Sequence, residues 1–386
     1  MPDIHLWPVE AARQDQKITL GFELEIPGSD RDRIWYELPA EHNAALTMSC
    51  DPFVLGSLFT AMRNGMNLIV HGQVSPTLLR NLDEFQQVWT VCKPESYTHI
   101  NITADEEREL PRPVNETAIA AFSGGVDSCF TAWRHHSGQA GRSQRNLRAA
   151  VMVHGFDITL RKKEDFERSV LRVKNMLDSL GILFIPMATN LKKQGVDWED
   201  EHGCSIASCL ALFQGEYSTG LIASTDAYPK LTIPWGSSPL TDHLLSSQAF
   251  EIVHDGAAYF RSDKVRWIAE WPEALQNLRV CLVGAEKDRN CCRCEKCTRT
   301  ILSFRAWGLA KPACFEKDVS NSQIIGLKYF HPTLLNEYAA ILRTARQNGQ
   351  TGSWMRALQL SMILNRLRLP AQKALQLIGL KKPVHR

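Results

Sequence analysis

Two spacings of apolar residues run along the chain, and the change from one to the other divides it. KITLGFELEI (17–26) places apolar side chains at alternate positions, and RIWYELP (33–39) resumes that alternation after the break PGSD. Such alternation marks strands with one buried face, here two antiparallel strands joined by a short turn. PFVLGSLFTAMRNG (52–65) switches to helical spacing, with Gly65 as its C-terminal cap, and NLIVHGQV (67–74) reads as another strand. HINITADEERELPRPVNET (99–117), charged and carrying two prolines, reads as a linker. Residues 1–112 are therefore expected to form an α+β accessory domain.

From Thr117 the apolar runs become short and continuous, as in strands buried on both faces. AIAAF (118–122), LRAAVMVHGFD (147–157), ILFIPMATN (182–190) and YSTGLIAST (217–225) are the strands. CFTAWRHH, DFERSVLRVKNMLDSLG and CSIASCLALFQG between them are helices. Strand and helix in alternation predict an α/β fold, a doubly wound parallel sheet over 113–245. SGGVDS, HGFD, ATN and STDAYP all fall at strand carboxyl ends, where such sheets bind ligands. SDKVRWIAEWPEALQNL (262–278) reads as one helix, followed by a cysteine cluster, which sets off 246–312. Residues 313–386 read as a helical tail.

The turn SGGVDS (123–128) carries the most specific chemistry. Glycines give the tight dihedrals and close backbone approach that a phosphate needs, and a helix N-terminus favours the negative charge. Ser123 and Ser128 offer hydroxyls, and Asp127 offers a helix cap or a ligand for Mg2+ on the phosphates. Neither GxxxxGK[ST] nor GxGxxG is present, which points to another nucleotide class.

SGGVDS after a buried strand resembles the SGGxDS signature of the PP-loop ATP pyrophosphatases. The resemblance implies cleavage of ATP between its α and β phosphates, with a substrate adenylated and pyrophosphate released. Lys264-Val265 ahead of a cysteine cluster is similar to the arrangement in 7-cyano-7-deazaguanine synthases, and covers about 117–308. On that likeness the phosphates are held by Ser123, Gly124, Gly125, Val126, Asp127 and Ser128. Asp127, Lys264 and Asp226 are the expected catalytic groups, and His154, Asp157, Asn190 and Arg261 complete the ATP site. DAYPKLTIPWGSSPL departs from the YPDC-like segment of the synthases, so the acceptor is left open between a 7-deazaguanine and a deazaguanine-modified target. Relatives of that kind act in queuosine synthesis or antiviral defence. The implied reaction is ATP-dependent C–N ligation. A tRNA-modifying thiolase, a lysidine-type synthetase and a non-catalytic nucleotide-binding scaffold are the alternatives.

The chain holds eleven cysteines, four of them between positions 291 and 297. Cys291, Cys294 and Cys297 form C-x-x-C-x-x-C, and Cys281 supplies a fourth sulfur, the donor set of structural zinc. An iron–sulfur cluster is the open alternative. In the family pattern a glycine stands where this chain has Cys292. Such clustering suits a metal better than a disulfide framework.

The remaining features narrow less. Glu201 and His202 in DWEDEHG read as a charged first helical turn, and Trp235 as a loop residue able to stack on a base. At 386 residues, 44% hydrophobic and 22% charged with net charge +2, the chain is expected to be a cytoplasmic multi-domain protein. No apolar run approaches a membrane span. A small-molecule or modified-base substrate is expected, with a protein partner at 1–112 and a homodimer as further expectations. The basic stretch 366–386, with Lys373, Lys381, Lys382 and His385, is read as a solvated helix face, with nucleic acid as the lesser alternative.

Overall fold

The computed structural model describes residues 2–329 and 333–377, with side chains to 368; of the basic stretch 366–386, Lys381, Lys382 and His385 lie outside the described residues. The strands are β1 (Asp3–Gln14), β2 (Lys17–Glu25), β3 (Asp32–Pro39), β4 (Asn67–Val74) and β5 (Ile102–Glu107), then β6 (Thr117–Ala121), β7 (Asn146–His154), β8 (Leu183–Thr189), β9 (Thr219–Ala223) and β10 (Glu251–Asp255). The helices are α1 (Asp51–Asn64), α2 (Pro76–Cys92), α3 (Val126–His136), α4 (Lys163–Ser179), α5 (Trp198–Ala211) and α6 (Arg261–Ile268). After these come α7 (Pro272–Asn277), α8 (Glu295–Ala306), α9 (Asn321–Ile325), α10 (Thr333–Gln347) and α11 (Ser353–Leu377).

The ten strands make one sheet in the order β10-β9-β6-β7-β8-β3-β2-β1-β4-β5. β2 pairs antiparallel with β1 and β3, and β3 with β8; the other pairings are parallel. Taken in chain order, β6 to β10 lie as third, second, first, fourth, fifth, the doubly wound order. β6 is the strand at which the winding reverses, with β7 on one side and β9 on the other. β6 through β9 run parallel, so the loops that begin at Phe122, Gly155, Asn190 and Ser224 leave from one edge of the sheet.

One feature was not legible in the strand pattern. The sheet does not stop at residue 112: Tyr36 and Glu37 of β3 pair with Thr189 and Ala188 of β8. A shared core follows, in which Ile34, Tyr36, Phe53 and Phe59 are buried together with Val151, Ile185 and Leu210. Tyr36 Oη lies 2.6 Å from Ser208 Oγ, a hydroxyl pair buried in that core. The chain divides into one compact unit of Met1–Ser123, Thr131–Ser224 and Leu231–Ala257, and another of Gly124–Phe130, Thr225–Lys230 and the segment from Ala258 onward.

Several local expectations hold and others need correction. Gly65 adopts φ +61° and caps α1, and Gly181 adopts φ +64° just past α4. The segment read as a linker holds β5, a polar strand at the sheet margin, where one face and one edge meet water. The helix expected over 262–278 is two, because Pro272 lacks the N–H that would continue α6 and instead begins α7. Among the described residues no helix is long and apolar enough to cross a membrane.

Candidate functional site

β6 hands over to α3 through Ser123, Gly124 and Gly125, and the helix starts at Val126. Gly124 sits at φ +73°, the left-handed region that glycine enters without steric cost. Its carbonyl accepts the N–H of Arg279 at 2.7 Å, and the Gly125 carbonyl accepts the N–H of Cys129 at 3.0 Å and the Ser128 hydroxyl at 3.2 Å. Ser128, expected as a phosphate donor, thus braces the turn itself.

Asp127, in the first turn of α3, is the centre of a buried charge cluster. Its Oδ2 accepts from Arg261 Nη2 at 2.6 Å and its Oδ1 from Lys264 Nζ at 3.0 Å. Arg261 opens α6 and Lys264 lies one turn on, so one helix face presents both cations. Lys264 is 1% exposed. Burial works to raise the Asp127 carboxyl, but Arg261 and Lys264 outweigh it and hold it below the ordinary carboxylate value.

The cluster extends further than the sequence suggested. Lys230 ion-pairs Glu337 of α10, and Arg299 of α8 lies 3.0 Å from Glu295 and 3.7 Å from Glu337. Tyr338 donates to Glu295 at 3.0 Å. Burial, reinforced by Arg299 and Arg261, lowers the Lys230 ammonium from its usual value, while Asp226 and Asp127 act the other way. Asp226 therefore belongs to the same electrostatic neighbourhood as Asp127, Arg261, Lys230 and Arg299.

The other expected ATP residues divide. His154 ends β7 with Nε2 2.9 Å from the Thr159 carbonyl and its ring stacked on Phe166 at 4.4 Å; burial lowers its pKa. That engagement fixes the loop after β7. Asp157 is exposed two residues after the Gly155 turn, its charge facing Lys192. The Oδ1 of Asn190 accepts the Trp35 N–H and its Nδ2 donates to the Arg33 carbonyl, both at 2.9 Å. Its amide is taken up in joining β8 to β3, and we assign it to the sheet.

The sulfur atoms of Cys281, Cys291, Cys294 and Cys297 all lie within 4.8 Å of one another. Cys281 and Cys294 sulfurs are 3.8 Å apart and those of Cys291 and Cys297 4.0 Å. Tetrahedral zinc with bonds of about 2.3 Å separates its sulfurs by about 3.8 Å, so the donor set fits the ion. Amide N–H groups of Gly284, Cys294 and Cys297 donate to the sulfurs of Cys281, Cys291 and Cys294, the support a thiolate needs. Hydrogen bonds from the Cys294 and Cys297 thiols hold Cys281 far below its usual value. Cys292 is buried at φ +56°, a left-handed residue where glycine fits without strain, and its sulfur turns to the Asn290 carbonyl.

No family model, curated protein or solved structure matches the chain.

Sequence reasoning missed Lys230 and Glu337, whose only signal was charge among apolar neighbours, and read Arg299 only as a charge near the cysteines. It also read Glu201 as part of a solvated turn, whereas Glu201 is 3% exposed. The four acids of that turn do differ: Asp197 caps Glu199 N–H at 3.0 Å, and Asp200 accepts from Lys93 at 2.6 Å and Tyr97 at 2.8 Å. Glu201 Oε1 has no hydrogen-bond partner among the described residues.

Proposed function

We propose that the chain is an ATP-dependent ligase of PP-loop type that adenylates a carboxylate or amide oxygen. One observation carries the reading: a glycine turn directly after the strand at which the sheet reverses, whose Asp127 is gripped by two buried cations. Buried cations at a phosphate-type turn are suited to a group that develops negative charge as it leaves. In the reaction the substrate oxygen attacks the α-phosphorus of ATP, and the bond to the β-phosphate oxygen breaks. Pyrophosphate leaves with the electron pair. A nitrogen nucleophile then displaces AMP from the adenylate, losing a proton as the C–N bond forms.

Arg261 and Lys264 would exchange Asp127 for phosphate oxygens, and Lys230 and Arg299 would add charge against the leaving pyrophosphate. Mg2+ supplies charge neutralisation when it accompanies ATP. Both Asp127 oxygens are engaged by cations, however, so they do not form a ready magnesium cage, and no step is assigned to that ion. The four cysteines fill every position of a tetrahedral zinc, leaving none for substrate, which supports a structural role. A bound metal also argues against freely reactive thiols of the thiolase kind. The resemblance in the sequence supports a 7-deazaguanine acid or a deazaguanine-modified target as acceptor.

The test is incubation with ATP, Mg2+, ammonium and 7-deazaguanine acids, followed by mass spectrometry. AMP, pyrophosphate and an amide or nitrile product are expected. ADP with phosphate, or no turnover with any acceptor, would overturn the reading.

A further inference from the structure

A second cluster of functional groups gathers at the start of α5. α5 follows β8, so its first turn lies at the carboxyl edge of the parallel strands. Trp198, Glu201 and His202 occupy positions i, i+3 and i+4 and share one helix face. The Trp198 ring lies 4.8 Å from Phe156, in the loop after β7, and the His202 ring 5.4 Å from Trp235. Lys192 Nζ stands 4.2 Å from the centre of the Trp198 ring. The loop holding Trp235 is pinned here, because Gly236 donates its N–H to the Glu199 carbonyl at 2.9 Å. A Cβ on Gly236 would meet His202 Nδ1 at 2.5 Å.

On the same helix face Glu201 is buried, with Oε1 unpartnered among the described residues. A buried acceptor without a donor is costly, and its neighbours Asp197 and Asp200 avoid that cost. We infer that Glu201, with Trp198, His202 and Trp235, binds a planar nitrogen heterocycle by an edge that sets a hydrogen-bond donor beside an acceptor. Partly exposed rings supply flat apolar contact, and the carboxyl reads the edge.

The protonation state suits that edge. Burial dominates and pushes Glu201 up to about 8, against the opposing charges of Lys192 and Arg63 and with the like charges of Asp197 and Asp200. Asp157 faces Lys192 and His202, and burial lowers His202, which stays neutral. At neutral pH Glu201 therefore presents an O–H next to a C=O. Adenine and guanine both offer the complementary pair, so the ligand carries one of these two bases.

The experiment uses the full chain without ATP, with adenosine and guanosine as probes, titrated by calorimetry between pH 6.5 and 9. One nucleoside should bind. Adenosine identifies an adenine site and guanosine a guanine site. Glu201→Ala should weaken that binding at least tenfold. Glu201→Gln keeps donor and acceptor side by side, so it should retain binding at pH 7. For adenosine, whose N1 needs the carboxyl proton, it should also lose the decline that the native protein shows as pH rises through about 8. Binding of neither nucleoside, or a Glu201→Gln decline identical to the native one, would overturn the inference, even where Glu201→Ala fails to fold. The inference goes beyond the ligase reading: nucleoside binding without pyrophosphate release would sink that reading alone.

Discussion

Asp127→Asn tests the charge cluster most directly. The native carboxylate meets Arg261 at 2.6 Å and Lys264 at 3.0 Å, with side-chain exposures of 13%, 9% and 1% in that order. Removing one partner from a buried ion pair costs about 3–5 kcal/mol, because the remaining charge stays desolvated. The amide keeps one oxygen acceptor, so the lower end, about 3 kcal/mol, is expected. That loss would appear in urea unfolding of the ligand-free protein. Metal content should be unchanged, since the cysteine cluster takes no ligand from α3. Pyrophosphate should restore part of the lost stability by supplying the missing anion; saturation at a hundred times its dissociation constant adds about 2.7 kcal/mol. Pyrophosphate release from ATP should fall to background. The pH dependence has a definite sign. Because the folded carboxyl lies below its unfolded value of about 3.9, its contribution is complete above that pH. It is lost as pH falls through the folded value, and the variant should lack that acid limb. Unaltered stability in Asp127→Asn would refute the buried pair, and persistent pyrophosphate release would refute its part in ATP chemistry.

Three further outcomes are expected. Cys291→Ser should release the metal, read by elemental analysis, and lower the protein's thermal stability; a metal-replete variant would break the four-sulfur assignment. Cys292→Gly should keep the metal. Relief of a left-handed side chain, about 1–2 kcal/mol, is offset by about 1 kcal/mol of lost apolar burial, so unfolding should change by less than about 1 kcal/mol. A larger loss would mean that the Cys292 sulfur has a partner we have not given it. Asn190→Ala should cost about 1–2 kcal/mol for two backbone hydrogen bonds and leave the KM for ATP unchanged. A raised KM would return Asn190 to the ligand.

What the sequence made legible was chemistry confined to a short window. The bend from Ser123 to Ser128 joins a buried strand to a helix within a few residues, and the cysteine spacing brings three sulfurs together by local turns. The Lys230–Glu337 pair was hidden because its members lie far apart in the chain and each alone resembles a surface charge. The β3–β8 junction was hidden for the same reason: strand patterns show which face is buried but not which edge is shared. Asn190 misled because a polar residue at a strand end looks the same whether it faces a ligand or a neighbouring backbone. Glu201 misled because a run of acids at a helix start is normally solvated, and only packing reveals which one is not.

The outermost strand, β5, carries Asp105, Glu106 and Glu107 in succession, all exposed. A ten-stranded sheet with an open margin invites a second molecule to add its own strand there. Three adjacent negative charges, spaced about 3.3 Å apart along the strand, would face the same three on an incoming copy laid antiparallel, and repel it. The acidic border thus disfavours strand addition at this margin.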